Sequence, residues 1–271
     1  MPAFDFIECA SKAYRYVWDN RQALARLSAL VIGIKIVSFA LVIMLGLSDH
    51  LLRQGLFLLP SYFLEGWAVA LIMAQALKME TDKAYVLVRP LKDYEEKNAV
   101  MASMILYVLF KIILSVFAGL VFSGPIRDMP EATQVSAPEP GLAMFIASSL
   151  FVVFMIWIFR FFWLYVPVAL GFSVKHFLKK IMPFSASFYM LGLWAMCFIP
   201  PGLVLLVVSG FVDGVLPAAP EAQNIAHGPH AYASAIMYAV FDYATVLIAS
   251  VGMAYGVSSM FNDENKTVSI L

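Results

Sequence analysis

Residues 231–257 read AYASAIMYAVFDYATVLIASVGMAYGV, a run whose one ionisable residue is Asp242, near its middle. A helix needs about 20 predominantly apolar residues to cross a hydrocarbon core of roughly 30 Å, so this stretch is long enough to span a bilayer. A carboxylate at its centre is costly against lipid and belongs on the face turned towards other helices. The decisive reading is therefore an all-α, polytopic membrane helix bundle. Working back along the chain, five more apolar segments of spanning length appear, bounded by polar or proline-rich breaks: Leu27 to Leu47, Leu56 to Leu77, Ala99 to Phe122, Leu142 to Phe172 and Phe188 to Val212. Four of these also carry one ionisable residue deep in the run, namely Lys35, Glu65, Lys111 and Arg160.

Composition agrees with the segment count. Hydrophobic residues make up 62% of the 271 and charged residues 13%, with a mean hydropathy of +0.84. That leaves too little polar surface to coat a water-soluble globule of this size. The formal net charge is zero, so no global field recruits nucleic acid or other polyanions. The two cysteines, Cys9 and Cys197, are too few and too far apart to frame a disulfide scaffold. The opening residues, Met1-Pro-Ala-Phe-Asp-Phe-Ile-Glu8, lack the basic region of a signal peptide, so the first span is expected to be retained.

Six spans place both termini on one side, and the basic residues choose that side. Thirteen of the eighteen Lys and Arg residues fall on the face that holds the termini, including Lys12, Arg15, Arg21, Arg26, Lys78 to Lys97 and Lys175 to Lys180, against Arg53 and Arg127 on the other. Cytoplasmic loops collect Lys and Arg, which predicts that both termini are cytoplasmic. Ahead of the first span, Ile7, Ala10, Tyr14, Val17 and Trp18 recur at three- and four-residue intervals opposite Glu8, Ser11, Lys12, Arg15 and Asp19. This predicts an amphipathic helix, resting on the lipid surface in preference to a protein partner. The domain division that follows is an interfacial helix over 1–26, a transmembrane domain over 27–260 and a cytoplasmic tail over 261–271.

The fourth segment is overlong: 31 residues at 1.5 Å each make about 46 Å. Either the span ends near Arg160 and the rest runs along the interface, or the helix kinks at Pro167 and Arg160 lies in the bundle. The second reading is preferred, with Asp242 as the partner of Arg160. Counting rise from the terminal-side boundaries puts Glu65, Lys111 and Arg160 at about 18 Å, Lys35 near 12 Å and Asp242 near 22 Å. Glu65 and Lys111, on consecutive helices, are the first expected pair; Asp242 has Arg160 or Lys35 to choose from. Lys35 is shallow enough for its stem to snorkel to the headgroups. These five residues are the intramembrane candidates, for register-pinning ion pairs or for a polar pathway.

Pro60 in the second segment and Pro200-Pro201-Gly202 in the fifth occupy corresponding places in two three-span halves. Interrupted helices at such places line the sites of inverted-repeat transporters, although simple kinks are the plainer reading. No HExxH, GxSxG or P-loop pattern occurs. His227-Gly-Pro-His230 has at most Glu221 nearby as a third ligand, so a solvated turn is expected in place of a metal site, and no cofactor is implied.

An amphipathic helix bearing Tyr14, Tyr16, Trp18 and Arg21, then six spans with Trp163-Leu-Tyr-Val-Pro167-Val-Ala-Leu170 leading into a basic loop and on to Trp194, resembles two bacterial families. They are the YciC-type inner-membrane proteins and the membrane domain attached to some glycerophosphodiester phosphodiesterases. The resemblance implies a multi-pass protein of a bacterial cytoplasmic (inner) membrane and assigns no catalytic residue. The expected function is a small transporter or permease-like protein whose path passes the charged layer, with the lipid bilayer as its surroundings and an anionic lipid or small molecule as candidate ligand. A non-catalytic membrane scaffold or accessory subunit is the rival reading, and a water-accessible cavity reaching the charges discriminates between them.

Overall fold

A computed structural model describes residues 4–47, 51–81, 94–122, 142–216 and 228–268, and these are helical with no strand among the described residues. The helices are α1 (Phe6–Asp19), α2 (Arg21–Met44), α3 (Leu51–Thr81), α4 (Tyr94–Phe122), α5 (Leu142–Phe159), α6 (Tyr165–Ala169), α7 (Val174–Lys180), α8 (Phe184–Val215) and α9 (Pro229–Val268). Six stretches are long and apolar enough to cross a membrane: Arg21–Met44, Arg53–Leu77, Lys97–Val116, Ser149–Ala169, Phe184–Val215 and Pro229–Phe261. Their lipid-type surface is evident in Leu203, Leu206, Val207 and Phe211, which lie exposed along α8. In water such a face would be untenable.

The helices alternate in direction, so the bundle has a basal end, where Phe4 packs on Gly256 and Lys180 reaches the Met260 carbonyl, and an opposite distal end. α3 packs on α4 and α2, and α9 sits centrally against α8, α2 and α3. Most apolar side chains buried on these faces form one continuous core from Val31 and Ile72 to Val251 and Val257.

α3 and α8 run through Pro60, Pro200 and Pro201, which removes the interrupted-helix alternative and leaves the plainer reading of prolines within continuous helices. Proline removes an amide and orphans the carbonyl four residues earlier; for Pro200 and Pro201 these carbonyls belong to Met196 and Cys197. The Tyr14 hydroxyl donates to both, at 3.3 and 3.0 Å. Burial, with the Cys197 thiol beside it, pushes the Tyr14 phenol up to about 12, so it remains a donor. Capped by the Asp5 carboxylate, which accepts from the Ile7 and Glu8 amides, α1 buries Cys9, Ala10, Ala13 and Tyr16. It packs against α8 and α9, leaving Ile7 and Trp18 of its expected apolar face exposed. Small residues permit the approach: Gly252 lies against Ala13 and Gly256 against Phe4.

The overlong fourth segment follows neither expected course. α5 ends at Phe159, the chain tightens into a 3-10 turn over Arg160–Trp163, and α6 then inserts beside α4, α3 and α9. Pro167 falls in the first turn of α6, where no intrahelical partner for its missing amide is lost.

Candidate functional site

Four of the five intramembrane charges meet in one cluster, each from a different helix. The Lys35 ammonium (α2) donates to Glu65 Oε2 (α3) at 2.7 Å and, more closely still, to Asp242 Oδ2 (α9). The Lys111 ammonium (α4) lies 3.4 Å from Glu65 Oε1 and 3.5 Å from Asp242 Oδ2. The result is a closed ring, Lys35–Glu65–Lys111–Asp242, in which every charge has two opposite neighbours and the sum is zero. Each carboxylate would be expensive to hold alone in a low-dielectric interior; set between two ammoniums it is compensated. The expected Glu65–Lys111 pair is present, and Asp242 takes Lys35.

Lys35 does not snorkel. α2 begins at Arg21, six residues before the apolar run, which sets Lys35 about 21 Å along the helix from its basal start. Its side chain is 1% exposed. Arg160 does not join the ring, and the expected Arg160–Asp242 pair does not form. The guanidinium donates to the carbonyls of Ile181, which closes α7, and of Met182 just beyond it, the latter at 3.0 Å, and it lies over the Trp157 ring, 4.6 Å from its centroid. A helix C-terminus offers unsatisfied carbonyls and a partial negative charge, and satisfies a cation without any carboxylate. Without that pair Arg160 lends no support to an intramembrane pathway, and the scaffold reading gains.

Tyrosines complete the ring, and sequence reasoning missed them. The Tyr107 hydroxyl, one helical turn from Lys111, donates to Glu65 Oε1. The Lys111 ammonium lies over the rings of Tyr62 and Tyr107, at 5.6 and 5.7 Å. The i, i+4 spacing of Tyr107 and Lys111 and the i, i+3 spacing of Tyr62 and Glu65 place both tyrosines on charge-bearing faces, and that was the signal available.

The ring is approached from the distal half of the bundle. A cavity of about 610 Å³ opens on the distal half of the bundle, lined by Phe39, Gln54, Tyr62, Ser115, Ser234 and Tyr238 among others, and ends on Lys35, Lys111 and Asp242. The side chain of Asp242 is 46% exposed and that of Lys111 20%, against 0% for Glu65. Asp242 and Lys111 thus form the wet edge of the ring and Glu65 its dry one. On the basal side α6 plugs the bundle. The Tyr165 ring stands edge-on to Tyr107 at 5.3 Å, its hydroxyl shares a 2.8 Å hydrogen bond with Ser250, and its carbonyl accepts from Ser103 at 2.8 Å. Below it the core is closed by Ile72, Met73, Val251 and Ala254.

A second cavity, about 560 Å³, lies between α4, α5, α8 and α9, walled by aromatic and aliphatic side chains that include Phe110, Phe159, Phe162, Trp163 and Trp194, and Lys111 borders it too. At the distal end His230 pairs with Asp213 at 2.7 Å, tying α9 to α8; His227 of the suggested metal motif lies outside the described residues. No group of three or more potential metal ligands occurs among the described residues. No protein family, curated protein or solved structure matches this chain, so the role of the ring rests on its own geometry.

Proposed function

We propose that this chain is a small permease-like transporter of a bacterial cytoplasmic membrane, with its vestibule facing outward and its ring of charges as the gate to the basal side. The observation that carries this reading is the 610 Å³ vestibule that reaches the ring from the distal end and stops there. A scaffold needs ion pairs to fix helix register, but it has no use for a wide approach to them. The ring is also suited to movement. Its four members sit on four helices, so any ligand or proton that competes for Asp242 loosens several interhelical ties at once, and closed and open arrangements can differ by only a few kcal/mol. In this reading the termini and the basic loops face the cytoplasm, as the distribution of Lys and Arg supports.

Alternating access supplies the test. In a background carrying Cys9→Ala and Cys197→Ala, Ser234→Cys on the vestibule wall is expected to react with a membrane-impermeant maleimide added from the distal side. Ser250→Cys, beneath the ring, is expected to be protected from that side and to react slowly from the basal side in inverted vesicles. If Ser250→Cys stays unreactive from both sides under every condition in which the protein is folded, the core does not open and the scaffold reading replaces transport.

A further inference from the structure

The two cavities meet at one side chain. Lys111 borders the distal vestibule and the aromatic chamber alike. It does so at the seam between α4 and α9, two helices that make little direct contact and are tied there by the Lys111–Asp242 pair. On one side of the seam lie the exposed edges of a carboxylate and an ammonium, 3.5 Å apart. On the other lies an apolar space within the roughly 300–1,000 Å³ range of small-molecule sites. Trp163, on the wall of that space, is buried, and its indole N–H has no hydrogen-bond partner among the described residues.

Charge arithmetic restricts what fits. The ring is neutral, so a ligand of net charge entering it leaves that charge uncompensated in a low-dielectric site. A ligand with adjacent positive and negative groups can set its cation on Asp242 and its anion on Lys111. Lys35 and Glu65 keep each other at 2.7 Å meanwhile. We propose, resting on the transport reading above, that the carried molecule is a zwitterionic lipid whose ammonium and phosphate meet Asp242 and Lys111 while its acyl part fills the aromatic chamber.

The chamber tryptophans make this measurable. Purified protein in detergent is titrated with phosphatidylethanolamine brominated in its acyl chains, which quenches nearby indoles. Quenching is expected to fall when Trp163→Phe and Trp194→Phe are combined. Short-chain phosphatidylethanolamine is then used to displace the brominated probe, beside phosphatidylglycerol of equal chain length and tail-free glycerophosphoethanolamine. Displacement by the zwitterionic lipid is expected at a concentration at least about tenfold lower than for either comparison. Ala249→Phe, which fills the chamber without touching the ring, is expected to abolish quenching by the probe. Equal displacement by phosphatidylglycerol would reduce the chamber to a groove for annular lipid. Equal displacement by the tail-free head would mean a soluble zwitterion, and either result overturns the proposal. The readout is binding alone, so lipid selectivity with a permanently closed Ser250 would refute transport and leave the lipid site standing, whereas an opening Ser250 without selectivity would do the reverse.

Discussion

Lys111 touches two carboxylates at once, Glu65 at 3.4 Å and Asp242 at 3.5 Å, and that double engagement sets what its removal must do. Lys111→Met leaves a ring with one excess negative charge in the bundle, a situation that costs about 3–5 kcal/mol when a buried pair is broken. Adding Glu65→Gln to it restores neutrality, because Lys35 and Asp242 remain bound to each other. The double variant is therefore expected to melt at a higher temperature in detergent than Lys111→Met alone. Simple additivity of the two losses would mean that the residues do not share a charge balance. Tyr14 makes a smaller and separate claim. Its hydroxyl is the partner of two carbonyls that prolines have orphaned, so Tyr14→Phe is expected to cost about 1–3 kcal/mol by the same melting assay. In a variant that also carries Pro200→Ala and Pro201→Ala, whose restored amides can use those carbonyls, the cost of Tyr14→Phe is expected to shrink. Arg160 shows what sequence cannot display at this scale. A carboxylate partner is visible as a letter, whereas the carbonyls at the end of a short helix have no letter of their own.

At the scale of elements, glycines separate packed faces from lipid-type faces. A Cβ added to Gly66 on α3 would come within 2.9 Å of the Tyr107 ring and 3.3 Å of the Met104 carbonyl on α4. Tyr107 cannot swing aside without leaving Glu65, so Gly66→Ala is expected to destabilise by about 1–3 kcal/mol, as overpacking does. Gly33 on α2 is exposed, with nothing within 4 Å of such an atom. There the same substitution is expected to be neutral or to stabilise by up to about 1 kcal/mol through helix propensity. Melting temperatures of the two variants check the contrast, and equal effects would show that α3 and α4 do not pack as described. The apolar runs located the six long helices, and some of these helices extend beyond the runs. α3 covers 51–81 against an apolar run of 56–77, and α9 covers 229–268 against 231–257. Hydropathy marks where a helix can meet lipid, while backbone hydrogen bonding carries the helix on into polar flanks. The insertion of α6 was not legible, because its buried side chains, Tyr165, Val166 and Ala169, are equally at home in a straight span.

At the scale of the whole molecule, the neutral ring and the uneven basic residues answer different questions. The ring sums to zero and gives the bundle no preferred orientation; orientation has to come from outside it. The flanks supply it in the orientation proposed above, since the sequence assigns thirteen basic residues to the side of the termini and two to the other, a bias of the kind that marks cytoplasmic loops. In that proposed orientation the distal vestibule opens to the exterior, and a substrate drawn from that side would meet Asp242 first, the most exposed member of the ring. Single cysteines on the exposed positions Gly214 and Lys179, in the background without Cys9 and Cys197, check this on intact cells. Gly214→Cys, at the distal end of α8, is expected to react with an impermeant maleimide at once, and Lys179→Cys on α7 only after the membrane is permeabilised. The reverse pattern would turn the vestibule inward, towards the cytoplasm. Uptake through an outward-facing gate would then be excluded, although the ring, its tyrosines and the aromatic chamber would keep the geometry described, because none of their contacts depends on which side of the membrane they face.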